Sequence, residues 1–258
     1  ALETGKVKLS DTVDVGEGVY KVHNRELLDH NWHRGGYGKL TTLQGLMVNS
    51  HIANYKNIER AFTEEQAYFD MLNKMSYGQP ENIEGLDDLK AAHFITPNDS
   101  GWSNTSLAWF CIGYNQQISP IQMLTFYNAI ANDGKMVKPT LYKGETEVIN
   151  PQIASKANID SLQMALVKVV TEGLGKPAQS EKVQVAGVSG GSQISTDEDN
   201  SEGRVNTIYS VEYCGYFPAE NPKYSIIVSM NKIGLPASGG LMAGSVFKEI
   251  VNYIEATK

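Results

Sequence analysis

Thr207-Ile208-Tyr209-Ser210-Val211-Glu212-Tyr213-Cys214-Gly215-Tyr216-Phe217, a turn at Asn221-Pro222, and then Tyr224-Ser225-Ile226-Ile227-Val228-Ser229-Met230 read as two successive strands. β-branched and aromatic residues dominate both runs, and Asn-Pro punctuates the join. Just upstream, Val183-Gln184-Val185-Ala186 alternates as a third strand. Downstream, Val246, Phe247, Ile250, Val251 and Ile254 recur at helical spacing and mark one face of a C-terminal helix.

The chain before these strands is mainly helical in pattern. Thr41 or Thr42 caps a helix through Leu43, Leu46, Met47 and Ser50 and on past Ile52, and a second runs from Glu64 to about Ser76. Ser119-Pro120 opens the clearest helix, because serine is a good N-cap and proline suits the first helical position. Asn132-Asp133-Gly134 closes it, and Ile159 to Gly173 forms another. Leu9–Asp14 and Gly18–Val22 read as short extended pieces, and residues 81–106 as a long connection. Ala1-Leu2-Glu3-Thr4-Gly5 resembles a last helical turn stopped by glycine. Helices followed by strands and a final helix indicate an α/β class, layered as α+β.

Composition excludes several functions. The net charge is -7 at pH 7 over 258 residues, with no dense Lys/Arg patch, which argues against a nucleic-acid partner. No apolar run is long enough to span a bilayer. Cys111 and Cys214 sit in apolar and aromatic surroundings and read as free buried thiols, although a disulfide is open. Asp197-Glu198-Asp199 with Glu202 reads as a solvated loop rather than a metal site. His30 and His33, with Asp29 before them, lack further ligands at defined spacing and read as a polar loop. Trp32, Tyr37, Trp102 and Trp109 could line a groove, and are assigned to loop packing. No metal or cofactor is expected.

Four segments carry a resemblance. They are His33-Arg34-Gly35-Gly36-Tyr37-Gly38; Ser106-Leu107 with Ile112-Gly113-Tyr114; Ser119-Pro120-Ile121-Gln122 through Asn132-Asp133-Gly134-Lys135 to Pro139; and Gly215-Tyr216-Phe217-Pro218-Ala219-Glu220-Asn221-Pro222-Lys223-Tyr224 with Val246-Phe247-Lys248-Glu249-Ile250. In this order they resemble the transpeptidase domain of a class B penicillin-binding protein, most closely the cell-division type of Bacteroidetes. The resemblance implies the penicillin-binding-protein/β-lactamase-like fold, an antiparallel sheet flanked by helices. It implies one domain over 1–258, helical to about 180, with the sheet and C-terminal helix following. It also implies that strands, nucleophile, pedestal and membrane anchor precede residue 1, so that this chain supplies the later three strands on the extracytoplasmic side.

Three motifs run acyl transfer in that family: a Ser-x-x-Lys nucleophile, a Ser-x-Asn loop, and a Lys-Thr-Gly strand whose backbone helps build the oxyanion hole. The first falls before residue 1. The Ser-x-Asn position holds Asn49-Ser50-His51, and the Lys-Thr-Gly position holds Val188-Ser189-Gly190. Ser189 keeps a hydroxyl for a substrate carboxylate and Gly191 keeps a backbone N–H; the cation is gone. Ser245-Val246-Phe247-Lys248 and Ser229-Met230-Asn231-Lys232 also fit Ser-x-x-Lys, but the first follows the other motifs and the second is on a strand, where i and i+3 face oppositely. The expected function is a transpeptidase-like module with degenerate motifs, serving as a binding or scaffold element for cell-wall or division proteins. Its ancestral ligands are the peptidoglycan stem peptide and penicillin. The alternatives are an active D,D-transpeptidase with an upstream serine, and a β-lactamase or β-lactam sensor.

Overall fold

The computed structural model describes residues 1–199 and 204–258. The chain forms two compact units, Ala1–Ala165 and Leu166–Lys258.

The first unit opens with a single 3-10 turn, Leu2–Thr4, stopped by Gly5 at φ 72. Then follow β1 (Thr12–Gly16), β2 (Val19–Val22), β3 (Arg25–Leu28) and β4 (Gly38–Thr41), paired antiparallel as β1–β4 and β2–β3. Alternation in β1 turns Val13 and Val15 inward, onto Leu27, Ile52 and Tyr55. The loop before β4 crosses β1–β2 so closely that a Cβ on Gly36 would lie 2.3 Å from the Gly18 nitrogen, and Gly36 sits at φ 69, so both space and conformation demand glycine.

Helices α1 (Thr42–Met47), α2 (His51–Ala61) and α3 (Glu65–Lys74) come next. Thr41 caps α1 in a full capping box with Gln44. The single helix expected from Thr41 past Ile52 is therefore two. Asn49 turns left-handed, at φ 48, and Ser50 caps α2 by accepting a bond from the Ala53 N–H. After β5 (His93–Phe94), α4 (Ser106–Phe110) and β6 (Gln116–Gln117), α5 (Pro120–Ala131) begins at Ser119 and ends at Asn132. The short hairpin β7 (Met136–Val137) and β8 (Val148–Asn150) leads to α6 (Lys156–Thr171), within which the first unit ends. Phe69 anchors an aromatic cluster, 4.8 Å from Phe110 and 5.4 Å from Trp102 between ring centres.

The start of α6 is capped from a distance. The Glu3 carboxylate accepts from the Ser155 N–H at 3.2 Å, the Ser155 hydroxyl at 3.0 Å and the Asn158 amide at 2.6 Å. These bonds, led by Asn158, hold the Glu3 carboxyl below its ordinary value. We expect Glu3→Ala to cost about 1 kcal/mol, the value of a lost N-cap, with solvent screening keeping it near the low end. Because the folded value is depressed, this contribution is present above the ordinary value of 4.5 and is lost as pH falls through the folded value. Denaturant melts at neutral pH and near pH 3 should show a gap between wild type and variant that closes in acid. A gap that persists unchanged at low pH would contradict the charge-based account.

The second unit is built on one antiparallel sheet in the order β11–β10–β9, from β9 (Ala186–Asp199), β10 (Arg204–Phe217) and β11 (Tyr224–Ile233). The three strands expected from sequence are present, with β9 beginning at Ala186 rather than Val183. Asp197–Asp199, expected in a solvated loop, instead extend β9: Asp197 pairs with Asn206, Glu198 with Val205 and Asp199 with Arg204. A run of charged residues is compatible with a strand as well as with a loop. Glu202 lies outside the described residues. A π-helical turn, Gly239–Gly244, leads into α7 (Ser245–Ala256). Phe247 and Val251 of α7 are fully buried with Tyr213 and Phe217 of β10. Val246, expected on that buried face, is 41% exposed. Cys111 and Cys214 are both free thiols.

Candidate functional site

In the first unit, the site residues are organised by one buried carboxylate. Asp29 follows β3 and is fully buried. Its Oδ2 accepts from the Ser50 hydroxyl at 2.7 Å, and its Oδ1 from the Ile52 N–H at 3.1 Å. Both bonds fall at the N-terminus of α2, where negative charge is favoured by the helix dipole and by unpaired N–H groups. Ser50 is thus spent: it donates to Asp29 and accepts from Ala53 at 3.0 Å. Asn49 and His51 flank it on the turn.

His51 is fixed by its Nδ1, 2.9 Å from the Leu28 carbonyl oxygen. A carbonyl only accepts, so Nδ1 carries the proton and Nε2 holds the lone pair in the neutral ring. His30 lies alongside, with its Nε2 2.6 Å from the Tyr37 hydroxyl. Burial, the largest effect, together with His51 and Arg34, pushes the His30 imidazole below its ordinary value, which favours the neutral ring. His33 turns away and accepts from Arg34 Nε at 3.2 Å.

The tryptophans divide. Trp102, expected in loop packing, donates from its loop to Glu65 at 2.7 Å, whereas Trp109 stands in α4 under the Arg25 guanidinium of β3 at 3.9 Å. Trp32 is half exposed.

In the second unit, Val188, Ser189, Gly190 and Gly191 occupy consecutive positions on β9, opposite Cys214, Tyr213, Glu212 and Val211 of β10. β9 is an outer strand of the described sheet. Val188 and Ser189 are half-buried, while Gly190 and Gly191 are exposed. Opposite Ser189, Tyr213 buries its hydroxyl with no hydrogen-bond partner, and burial raises its phenol above the ordinary value. The π-helical turn lies directly on this strand: a Cβ at Gly239 would sit 2.2 Å from the Gly190 carbonyl oxygen. Ala186 to Ile194 contains only Ala, Gly, Val, Ser, Gln and Ile, so this stretch carries no ionisable side chain.

The two other Ser-x-x-Lys strings are committed elsewhere. Ser245 at the start of α7 donates to the Leu241 carbonyl at 2.7 Å. Ser229 in β11 donates to Glu212 at 2.9 Å, while Lys232 binds the Ile233 carbonyl. Neither hydroxyl bonds the lysine three positions on.

A family model described as the penicillin binding protein transpeptidase domain matches residues 1–252. The chain belongs to this family. Among curated proteins it is 26% identical over 241 residues to penicillin-binding protein PbpB of Mycolicibacterium smegmatis, covering 85% of this chain and 34% of that protein. It is 22% identical over 246 residues to the peptidoglycan D,D-transpeptidase FtsI of Escherichia coli K12, covering 95% of this chain and 39% of that one. The chain thus spans well under half the length of these relatives. Among solved structures, penicillin-binding protein 3 of Mycobacterium tuberculosis, complexed with ampicillin, superposes with a TM-score of 0.78 at 23% identity, covering 99% of this chain and 59% of that one. The transpeptidase fold expected from the sequence is therefore the fold observed.

Asp29 is the site residue that sequence reasoning missed. It drew notice only as a neighbour of His30, and its partner stands 21 positions later. A local signal did exist: Asn followed by Ser, a left-handed residue before an N-cap, reads as a helix start inside an apparent helix.

Proposed function

We propose that this domain is a transpeptidase-fold binding module of cell-wall synthesis and division that has lost acyl transfer. The observation that carries the reading is Val188 on a stretch of β9 with no cation. A charge-assisted contact to a substrate carboxylate is worth about 1.5–3 kcal/mol, and a valine offers none of it. At the Ser-x-Asn position, Ser50 is consumed by Asp29 and Ala53, and an imidazole stands where the family has an amide. Losing members of one catalytic unit together costs several decades of rate.

Binding is easier to keep. Ser189 supplies a hydroxyl, and an outer strand presents unpaired backbone groups that an extended peptide can join. The ligand class is accordingly the peptidoglycan stem peptide, or penicillin bound without acylation. The setting is extracytoplasmic, among cell-wall and division proteins, with the membrane reached through an anchor outside this segment.

Fluorescent penicillin tests this on the full-length protein. The expected result is no label that survives denaturation, beside a strong band from an active penicillin-binding protein. A stoichiometric covalent adduct would overturn the reading and establish an active acyl-enzyme.

A further inference from the structure

Residues 80–90 form a loop whose two ends meet at one side chain. Gln122 Nε2 donates to the Pro80 carbonyl at 2.9 Å and to the Lys90 carbonyl at 3.1 Å. Ile83 is buried beneath the loop, and Leu86 is 38% exposed at its top. Between its ends the loop holds Glu81, Glu84, Asp87 and Asp88, all exposed, against Lys90.

The tip of the β7–β8 hairpin leans on this loop. A Cβ at Gly85 would stand 3.1 Å from the Tyr142 hydroxyl and 3.3 Å from the Leu141 Cδ1 methyl. Lys138 at the hairpin base donates to Asn82 at 3.0 Å, which ties the two together. Leu141 is 62% exposed and Tyr142 57%. Turn tips favour small polar residues for conformational reasons, and neither of these side chains fills a core. The Thr140 hydroxyl accepts from the Tyr142 N–H at 3.0 Å and holds the tip in shape. Leu141 and Tyr142 reach the loop at Gly85, next in sequence to Leu86, so three large exposed apolar side chains belong to one anchored loop and hairpin that also carries the carboxylates. An exposed aromatic and aliphatic cluster with a charged rim is the anatomy of an interface.

We propose that Leu86, Leu141 and Tyr142 form a docking patch for a partner protein segment that presents an apolar side chain between lysines or arginines. Charge selects this occupant. The 80–90 loop carries four carboxylates and Lys90, and the hairpin tip adds Glu145 and Glu147 with Lys138 and Lys143, so acids outnumber bases six to three; the whole chain carries -7, so a second copy would bring like charge to the same rim. A basic segment would be attracted and then held by its apolar centre. The patch is separate in sequence from residues 49–51 and 188–191, and its test is independent of acyl transfer.

The experiment uses two labelled synthetic peptides and the whole protein: Leu-Phe flanked by lysines, and the same core flanked by glutamates. Anisotropy should show binding of the lysine peptide alone, weakening as added salt shortens the screening length. Leu141→Ser with Tyr142→Ser should weaken it at least about tenfold, the equivalent of 1.4 kcal/mol, with an unchanged melt. Should that double variant fail to fold, Asp87→Asn with Asp88→Asn should still weaken binding and flatten its salt dependence. Equal binding of both peptides, binding of neither, indifference to the substitutions, or concentration-dependent dimerisation through the patch would each overturn the proposal.

Discussion

Gln122→Ala is expected to destabilise the protein by about 3 kcal/mol, the range for breaking a buried hydrogen-bond network. Gln122 is fully buried in the first turn of α5. Its amide group uses all its bonding capacity. Nε2 donates to Pro80 and Lys90, and Oε1 accepts from the Ser119 N–H and the Ser119 hydroxyl, both at 2.9 Å. Alanine removes the partner of two carbonyls and of the helix cap at once, and it unties a loop closed over 32 to 42 positions of sequence. Urea melts should register the loss, and amide exchange should rise across residues 81–89. Gln122→Glu separates hydrogen bonding from shape. At neutral pH its carboxylate would face two carbonyl oxygens, so it should be at least as damaging as alanine. Burial and those oxygens would raise its folded value above the unfolded carboxylate value of about 4.3. Stability of this variant should therefore increase as pH falls from 7, opposite to the Glu3 contribution, and level off once the unfolded carboxyl is also protonated. A Gln122→Ala protein that melts within about 0.5 kcal/mol of wild type would show that the clamp contributes little beyond a surface substitution.

The contrast between Gln122 and Val188 explains what could be read from the sequence. Ser119-Pro120 and the β-branched runs of β10 and β11 announce themselves locally, because caps, proline geometry and strand periodicity act over a few residues. Val188 is read directly from the chain, since the residue's identity needs no fold. The clamp on the 80–90 loop was not, because both of its partners are backbone carbonyls far away in the chain. The break between α1 and α2 has a local signal in Asn49-Ser50, but a weak one. Residues on both sides are compatible with one continuous helix, and what stops it is a carboxylate 21 positions earlier. The pairing at Asp197–Asp199 differs in kind: a run of charge does not distinguish a strand from a loop.

That carboxylate supports the second large effect. Asp29→Ala should cost about 2–4 kcal/mol, because it removes two charge-assisted bonds and leaves the Ser50 hydroxyl and the Ile52 N–H without an acceptor. The Ser50 oxygen, an acceptor on the same turn, is already engaged by the Ala53 N–H. Asp29→Asn should be milder, since an amide oxygen still accepts one bond while its NH2 meets a second donor. Ser50→Ala alone should cost about 1 kcal/mol as a lost N-cap. The double variant Asp29→Ala with Ser50→Ala should then fall short of the sum, with a coupling of about 0.5–3 kcal/mol, because both changes remove the same bond. The consequence reaches the site through Asn49. Its φ of 48 is uncommon for a residue with a side chain and persists only while the turn on either side is held. Releasing Asp29 frees Asn49 to return to an ordinary conformation and swings His51 off the Leu28 carbonyl. A His51 ring whose NMR chemical shifts are the same in Asp29→Ala and in wild type would show that His51 is positioned without Asp29, and strict additivity in the cycle would show that Ser50 is.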